Sequence, residues 1–198
     1  MESIRLNRRA FAGLGLGLGA FALTGAPSFA AEELGPPIGG KAPDIGTPQD
    51  QTGKARTLQS LMGEKGVVLF FFRSASWCPF CQAQMMDLNT GVADIAKRGY
   101  KLAGISYETP EKQVAFIERR GIKYDLLCDP GSVVIDRWRL RDPQYKPDSF
   151  AYGVPRPIIF VIGRDGVIKD KLYEETYTKR PPLKLVIETL DKAAAKGA

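Results

Sequence analysis

Six consecutive apolar residues, Val67-Val68-Leu69-Phe70-Phe71-Phe72, are followed within a few positions by Trp77-Cys78-Pro79-Phe80-Cys81. A run of that length and composition, apolar at odd and even positions alike, fits a central strand covered on both faces. Pro79 suits the first turn of a helix, where its missing N–H would be unpaired anyway. The chain therefore passes from a buried strand into a helix that carries two cysteines on its first turn, close enough to join. Unpaired N–H groups and the positive end of the helix dipole favour thiolate on the first sulfur, Cys78. At such a position a thiol pKa falls from about 8.5 toward about 3.5–7.5, and the thiolate is the nucleophile of disulfide exchange. The pair reads as a redox device.

Zinc normally takes four Cys, His or carboxylate ligands. The chain has three cysteines and no histidine, with Cys128 the only other sulfur, so neither a metal nor another cofactor is expected. The same absence excludes Ser-His-Asp and Cys-His nucleophilic sites and haem held by histidine. Any cation that activates a thiol must be lysine or arginine. Arg73, just after the apolar strand, is one candidate, and a solvated strand-end arginine is the plain alternative. Cys128 is read either as a third redox thiol or as a small buried residue.

The first thirty of the 198 residues have a different character. Asn7-Arg8-Arg9-Ala10-Phe11 precedes a weakly apolar, glycine-spaced run from Ala12 to Ala26, then Pro27-Ser28-Phe29-Ala30-Ala31. This pattern predicts an export signal at 1–30 resembling the twin-arginine type, cleaved after Ala30, and hence a periplasmic protein. The run is shorter than the roughly 20 residues a spanning helix needs, so no membrane span is expected once the signal is removed. Its loss takes Glu2 and three arginines and lowers the formal charge from +6 to +4. No dense Lys/Arg block points to nucleic acid. In an oxidising compartment disulfides persist, but a Cys78–Cys81 staple would close too short a loop to stabilise much. Chemistry is the better reading.

The remainder, 31–198, reads as one domain. A Gly/Pro-rich leader runs from Glu32 to Gly40, with turns and short extended pieces to Lys54. Met85, Leu88, Val92 and Ile95 recur at helical spacing, with Gly91 as a kink or break and Gly99 as a stop. Tyr100–Ser106 is a strand, Thr109-Pro110 opens a helix that ends at Gly121, and Tyr124–Cys128 is a third strand. A turn at Asp129-Pro130-Gly131 leads into a short helix. Arg139 to Gly153 reads as an irregular polar loop, and Arg137, Arg139 and Arg141 with Trp138 as a solvated helix end. Ile158–Ile162 and Val167–Tyr173 flank Asp165-Gly166, a hairpin signal. A last helix carries Leu183, Val186, Ile187 and Leu190 on one face. Alternating strands and helices followed by a hairpin predict an α/β fold: a mostly parallel sheet with an antiparallel C-terminal hairpin and helices on both faces. Ligand chemistry in such sheets sits at the carboxyl ends of the strands, where the two cysteines lie.

Gly40-Lys41-Ala42-Pro43-Asp44, the strand before Trp77-Cys78-Pro79-Phe80-Cys81, Leu102–Ser106, Leu126–Pro130, Tyr152–Ile162 and Arg164-Asp165-Gly166 together resemble the thioredoxin-like redoxins, most closely the alkyl hydroperoxide reductase/thiol-specific antioxidant branch. The resemblance spans about residues 38–195. It implies a thioredoxin fold with Pro157 as the cis proline facing the cysteines. It also implies a docking groove shaped by Pro157 and Arg156, with Trp77 beside the sulfurs. The sequence departs from the family at several points. The peroxidatic position of peroxiredoxins aligns with Cys81, but Cys78 replaces their Ser/Thr and Ser74 their proline. Their arginine before the late strand falls on Pro157, with Arg156 one residue off. The buried acid that thioredoxins place six residues before the first cysteine is Phe72 here.

The sequence-based expectation is a thiol–disulfide oxidoreductase. Cys78 attacks a protein or small-molecule disulfide and Cys81 resolves the mixed disulfide. The alternative is a peroxiredoxin-like peroxidase, in which a hydroperoxide oxidises one cysteine to sulfenic acid and its neighbour condenses with it. Either enzyme needs a thiol partner to close its cycle. A third reading is a binding or assembly module that no longer turns over.

Overall fold

The computed structural model describes residues 33–196. The export signal and its cleavage point after Ala30 lie outside the described residues. In chain order the elements are β1 (Gln49–Asp50), a 3-10 turn (Gln59–Leu61), β2 (Gly66–Phe71), α1 (Pro79–Thr90), α2 (Val92–Lys97), β3 (Tyr100–Ser106) and α3 (Pro110–Arg120). β4 (Asp125–Cys128), α4 (Val133–Arg137), β5 (Ile158–Gly163), β6 (Ile168–Leu172) and α5 (Leu183–Lys196) follow. The strands form one mixed sheet in the order β1-β4-β3-β2-β5-β6. β2, β3 and β4 run parallel, while β5 joins β2 and β6 joins β5 antiparallel. The short extended piece expected before Lys54 becomes β1, which pairs antiparallel with β4. Antiparallel strands therefore flank the parallel centre on both sides.

β2 is buried at every position, as its unbroken apolar run requires. Its alternation divides the core in two. Val67, Leu69 and Phe71 pack with Leu61, Ile135, Trp138 and Phe160 on one face. Val68, Phe70 and Phe72 pack on the other with Met85, Leu88, Phe116, Val186 and Leu190, beside Cys78 and Cys81. The cysteines thus belong to a core.

The helical pattern after the cysteines breaks at Gly91 into α1 and α2. A Cβ on Gly91 would lie 2.3 Å from Leu183 Cδ1, so the glycine lets the start of α5 press against the break. Gly121 ends α3 in the left-handed conformation, φ 61°, and its N–H closes on Ile117 O. The leader is tied to β6 and the turn before it by backbone bonds between Gly39 and Ile168 and between Ala42 and Gly166. Buried Lys171 reinforces this with contacts to Glu33 and the carbonyls of Leu34 and Pro36.

Residues 139–153 are irregular, as read from sequence, yet Leu140, Asp142 and Ala151 are buried. Trp138 is fully buried and packs on Phe71 and Phe160 at ring separations of 5.1 and 5.0 Å. Arg139, Phe150 and Tyr152 of that segment are exposed, and half-buried Arg141 pairs with Asp136. No helix among the described residues is long and apolar enough to cross a membrane.

Candidate active site

Cys78 is the N-cap of α1, with extended backbone (φ −96°, ψ 102°), and Pro79 is its first helical residue. This geometry puts Cys81 three positions into the helix, where its N–H donates to Cys78 Sγ at 3.3 Å. Both thiols are free. Cys78 is 2% exposed and Cys81 fully covered.

Two influences compete for the negative charge. The helix end offers Cys78 the Cys81 N–H. Cys81 has Arg180, whose Nη2 lies 3.5 Å from its sulfur. Burial works to raise the Cys81 pKa. The bond from the Cys78 thiol, the Arg180 charge, the Ser74 backbone N–H and the Arg180 N–H outweigh it and bring Cys81 down to about 6. Cys78 moves the other way, because its proton is shared with Cys81, because it is buried and because Cys81 carries the charge. A full guanidinium charge in contact outweighs one neutral N–H. The Arg180 contact therefore favours thiolate on Cys81, whereas the helix end alone favours Cys78.

The loop before the cysteines is held by a buried carboxylate. Glu108, between β3 and α3, is 2% exposed. It accepts bonds from Ser74 Oγ and the Ala75 N–H, both at 2.7 Å, and from Ser76 Oγ. Ser74 Oγ in turn accepts from the N–H groups of Ser76 and Trp77, both at 2.9 Å. Trp77 donates through its indole N–H to Tyr107 Oη at 3.2 Å and packs edge-on against exposed Phe150.

Arg73 is buried and does not contact either sulfur. Its guanidinium stacks over Tyr177 at 4.1 Å, Tyr145 at 4.9 Å and Trp77 at 5.4 Å, and it donates to the Tyr145 hydroxyl. It clamps two segments, 139–153 and 173–182, beside the dithiol. Tyr177 also packs on Phe80. A cleft of about 230 Å³ opens beside Arg180, lined by Phe80, Ala83, Gln84, Asp87 and Thr178. A cleft of about 340 Å³ lies over Cys128 and is lined by neither Cys78 nor Cys81.

Pro157 precedes β5, whose Ile158 pairs with Phe71 at the carboxyl end of β2. It therefore sits at the sheet edge from which the dithiol loop departs. Arg156 is half-buried and its N–H bonds to Leu140 O at 2.7 Å. Cys128 ends β4, opposite Ser106 and Gln49. Burial, then the charges of Glu108, Glu111 and Asp50, push its thiol up to about 12, which removes it as a nucleophile near neutral pH. Sequence reasoning missed Arg180 and Glu108. Arg180 lies in a stretch without periodicity, and Glu108 looks like any charge ahead of a helix.

The profile of the AhpC/TSA family matches residues 38–171. This chain belongs to the AhpC/TSA family. The AhpC/TSA protein described here is 32% identical over 130 residues to a Mycobacterium tuberculosis protein named as a peroxiredoxin, Rv2521, across 66% of this chain and 80% of that one. It is 29% identical over 154 residues to the thiol-disulfide oxidoreductase ResA of Geobacillus thermodenitrificans, across 77% of this chain and 78% of that one. The crystal structure of peroxidoxin BcpB from Mycobacterium tuberculosis superposes with a TM-score of 0.65 at 25% identity, covering 80% of this chain and 96% of that one. The thioredoxin fold and the family resemblance read from the motifs both hold, and this AhpC/TSA protein is an oxidoreductase. Arg180 lies beyond the matched residues.

Proposed function

We propose that this oxidoreductase is a thiol peroxidase in which Cys81 attacks the hydroperoxide and Cys78 resolves. The observation that carries the reading is Arg180 Nη2 at 3.5 Å from the Cys81 sulfur. A positive charge there favours the thiolate needed for attack and, in the transition state, faces the negative charge moving onto the peroxide oxygens. Burial also bears on the substrate. With Cys81 fully covered and Cys78 2% exposed, a small hydroperoxide can approach beside Arg180 more readily than a protein disulfide.

The Cys81 thiolate attacks the distal oxygen of ROOH, the O–O bond breaks, and the alkoxide leaves as ROH with a proton from solvent. Cys81 is now a sulfenic acid. Cys78 sulfur attacks the Cys81 sulfur, its proton joins the departing hydroxide, and water leaves as the Cys78–Cys81 disulfide forms. A dithiol reductant supplies two electrons and two protons to restore both thiols. That last step is the exchange chemistry of the ResA-like reading, with Cys78 as the more outward sulfur and Trp77, Arg156 and Pro157 as the docking edge.

The test is stopped-flow oxidation of the reduced mature protein by hydrogen peroxide, with dimedone trapping and mass spectrometry. Rapid oxidation is expected, lost in Cys81→Ser, and stopping at a trappable Cys81 sulfenic acid in Cys78→Ser. Slow reaction with peroxide but rapid exchange with a model disulfide through Cys78 would replace this reading with the thiol–disulfide one. Retained activity in the double Cys78→Ser, Cys81→Ser variant would remove both.

A further inference from the structure

We propose that Glu108 is a positioning residue for the Cys81 thiolate, acting through the Ser74–Trp77 turn. The inference deepens the peroxidase reading and rests on Cys81 being the attacking sulfur.

A buried carboxylate is costly unless its oxygens are paired. No lysine or arginine forms an ion pair with Glu108 among the described residues. Its bonding is supplied instead by three consecutive residues of the turn that leads into the dithiol: the hydroxyls of Ser74 and Ser76 and the N–H of Ala75. The effect on Ser74 follows from hydroxyl chemistry. A hydroxyl has one proton to donate and two lone pairs. Glu108 takes the proton at 2.7 Å, which turns the lone pairs toward the N–H groups of Ser76 and Trp77. Every donor and acceptor of this side chain is used, and Ser74 is fully buried, so the turn has one arrangement.

That arrangement does two things for the thiols. It sets Trp77 and hence the backbone at Cys78, where α1 begins. It also fixes the Cys78 sulfur against Cys81, whose N–H donates to it at 3.3 Å. Glu108 thus holds the turn that places Cys78 beside the Cys81 thiolate. The carboxylate touches neither sulfur, so it positions and does not itself react.

The test is Glu108→Gln in a Cys78→Ser background of the full mature chain. Glutamine keeps the volume but sets an NH₂ group against one of the three donors that the carboxylate accepts. Three quantities are read: the pH titration of Cys81 by thiolate absorbance, the rate constant with hydrogen peroxide, and the thermal midpoint. The inference expects the Cys81 titration to move to higher pH and the peroxide rate at neutral pH to fall by about tenfold or more, as misplacement of a catalytic group does. A lowered thermal midpoint with an unchanged titration and rate would overturn it. Should Glu108→Gln not fold, amide exchange in the unaltered protein decides: slow exchange at Ala75, Ser76 and Trp77 supports the held turn, and fast exchange overturns it. Failure of the underlying reading looks different, because Cys81 would then titrate in the ordinary thiol range before any change at Glu108.

Discussion

Arg180 and Cys81 meet across a stretch of 99 residues, and the consequence for reactivity is electrostatic. A cation in contact with a buried sulfur is screened far less than one in water, so it keeps the thiolate populated at neutral pH. Arg180→Met should raise the Cys81 pKa from about 6 toward the ordinary thiol value of about 8.5. The peroxide rate at neutral pH should then fall by about tenfold or more, since one pKa unit is one decade of thiolate. In the unaltered protein the same rate should decline as pH drops through about 6, because protonation removes the nucleophile. Stopped-flow rates across a pH series check both. Cys128→Ala is the contrasting change. With its pKa pushed up to about 12 and no contact with the dithiol, its removal should leave the peroxide rate unchanged.

At the scale of elements, the segment 173–182 matters more than its lack of regular structure suggests. It delivers Arg180 and is held over α1 by Tyr177, which lies between the Arg73 guanidinium and Phe80. Tyr177 is 41% exposed, and a cation–π contact to an exposed ring is worth about 0.5–1 kcal/mol. Tyr177→Ala should therefore loosen the segment, raise the Cys81 pKa part of the way seen for Arg180→Met, and leave the thermal midpoint nearly unchanged; thiolate titration and calorimetry separate these effects. Gly121 gives the converse case. Its left-handed φ of 61° is strained for any residue with a Cβ, and nothing lies within 4 Å of where that Cβ would go. Gly121→Ala should cost about 1 kcal/mol of stability by chemical denaturation and leave the peroxide rate alone.

For the whole molecule, the sheet explains why the chemistry sits at one end. β2 delivers the dithiol loop at its carboxyl edge, β3 delivers Glu108 just beyond its own, and antiparallel β5 begins there just after Pro157. Three crossings of one edge assemble the site around a core that buries both sulfurs. Location is a separate proposal, made from the sequence of residues 1–30 alone. If residues 1–30 direct export, cell fractionation should find the protein outside the cytoplasm with Ala31 at its N-terminus, and changing Arg8 and Arg9 together to lysine should retain it inside; N-terminal sequencing of the fractions checks both.

Much of this protein is decided locally. The apolar run of β2, the Cys-Pro-Phe-Cys helix start, the Gly91 break, the Gly121 stop and the Asp165-Gly166 hairpin are properties of neighbouring residues, and each appears where local chemistry requires it. They are enough to determine the fold class and to nominate Cys78 and Cys81. Which sulfur carries the charge is not a local property. The helix end, visible in the sequence, favours Cys78. The cation that reverses this preference comes from a segment without periodicity near the C-terminus, and the carboxylate that fixes the turn comes from a loop after another strand. Trp138 makes the same point in the core, where arginines on both sides mask a side chain that packing buries completely. Short-range spacing encodes elements, whereas long-range contacts set the electrostatic field at a buried sulfur. Only the folded sheet brings Arg180 and Glu108 to the dithiol.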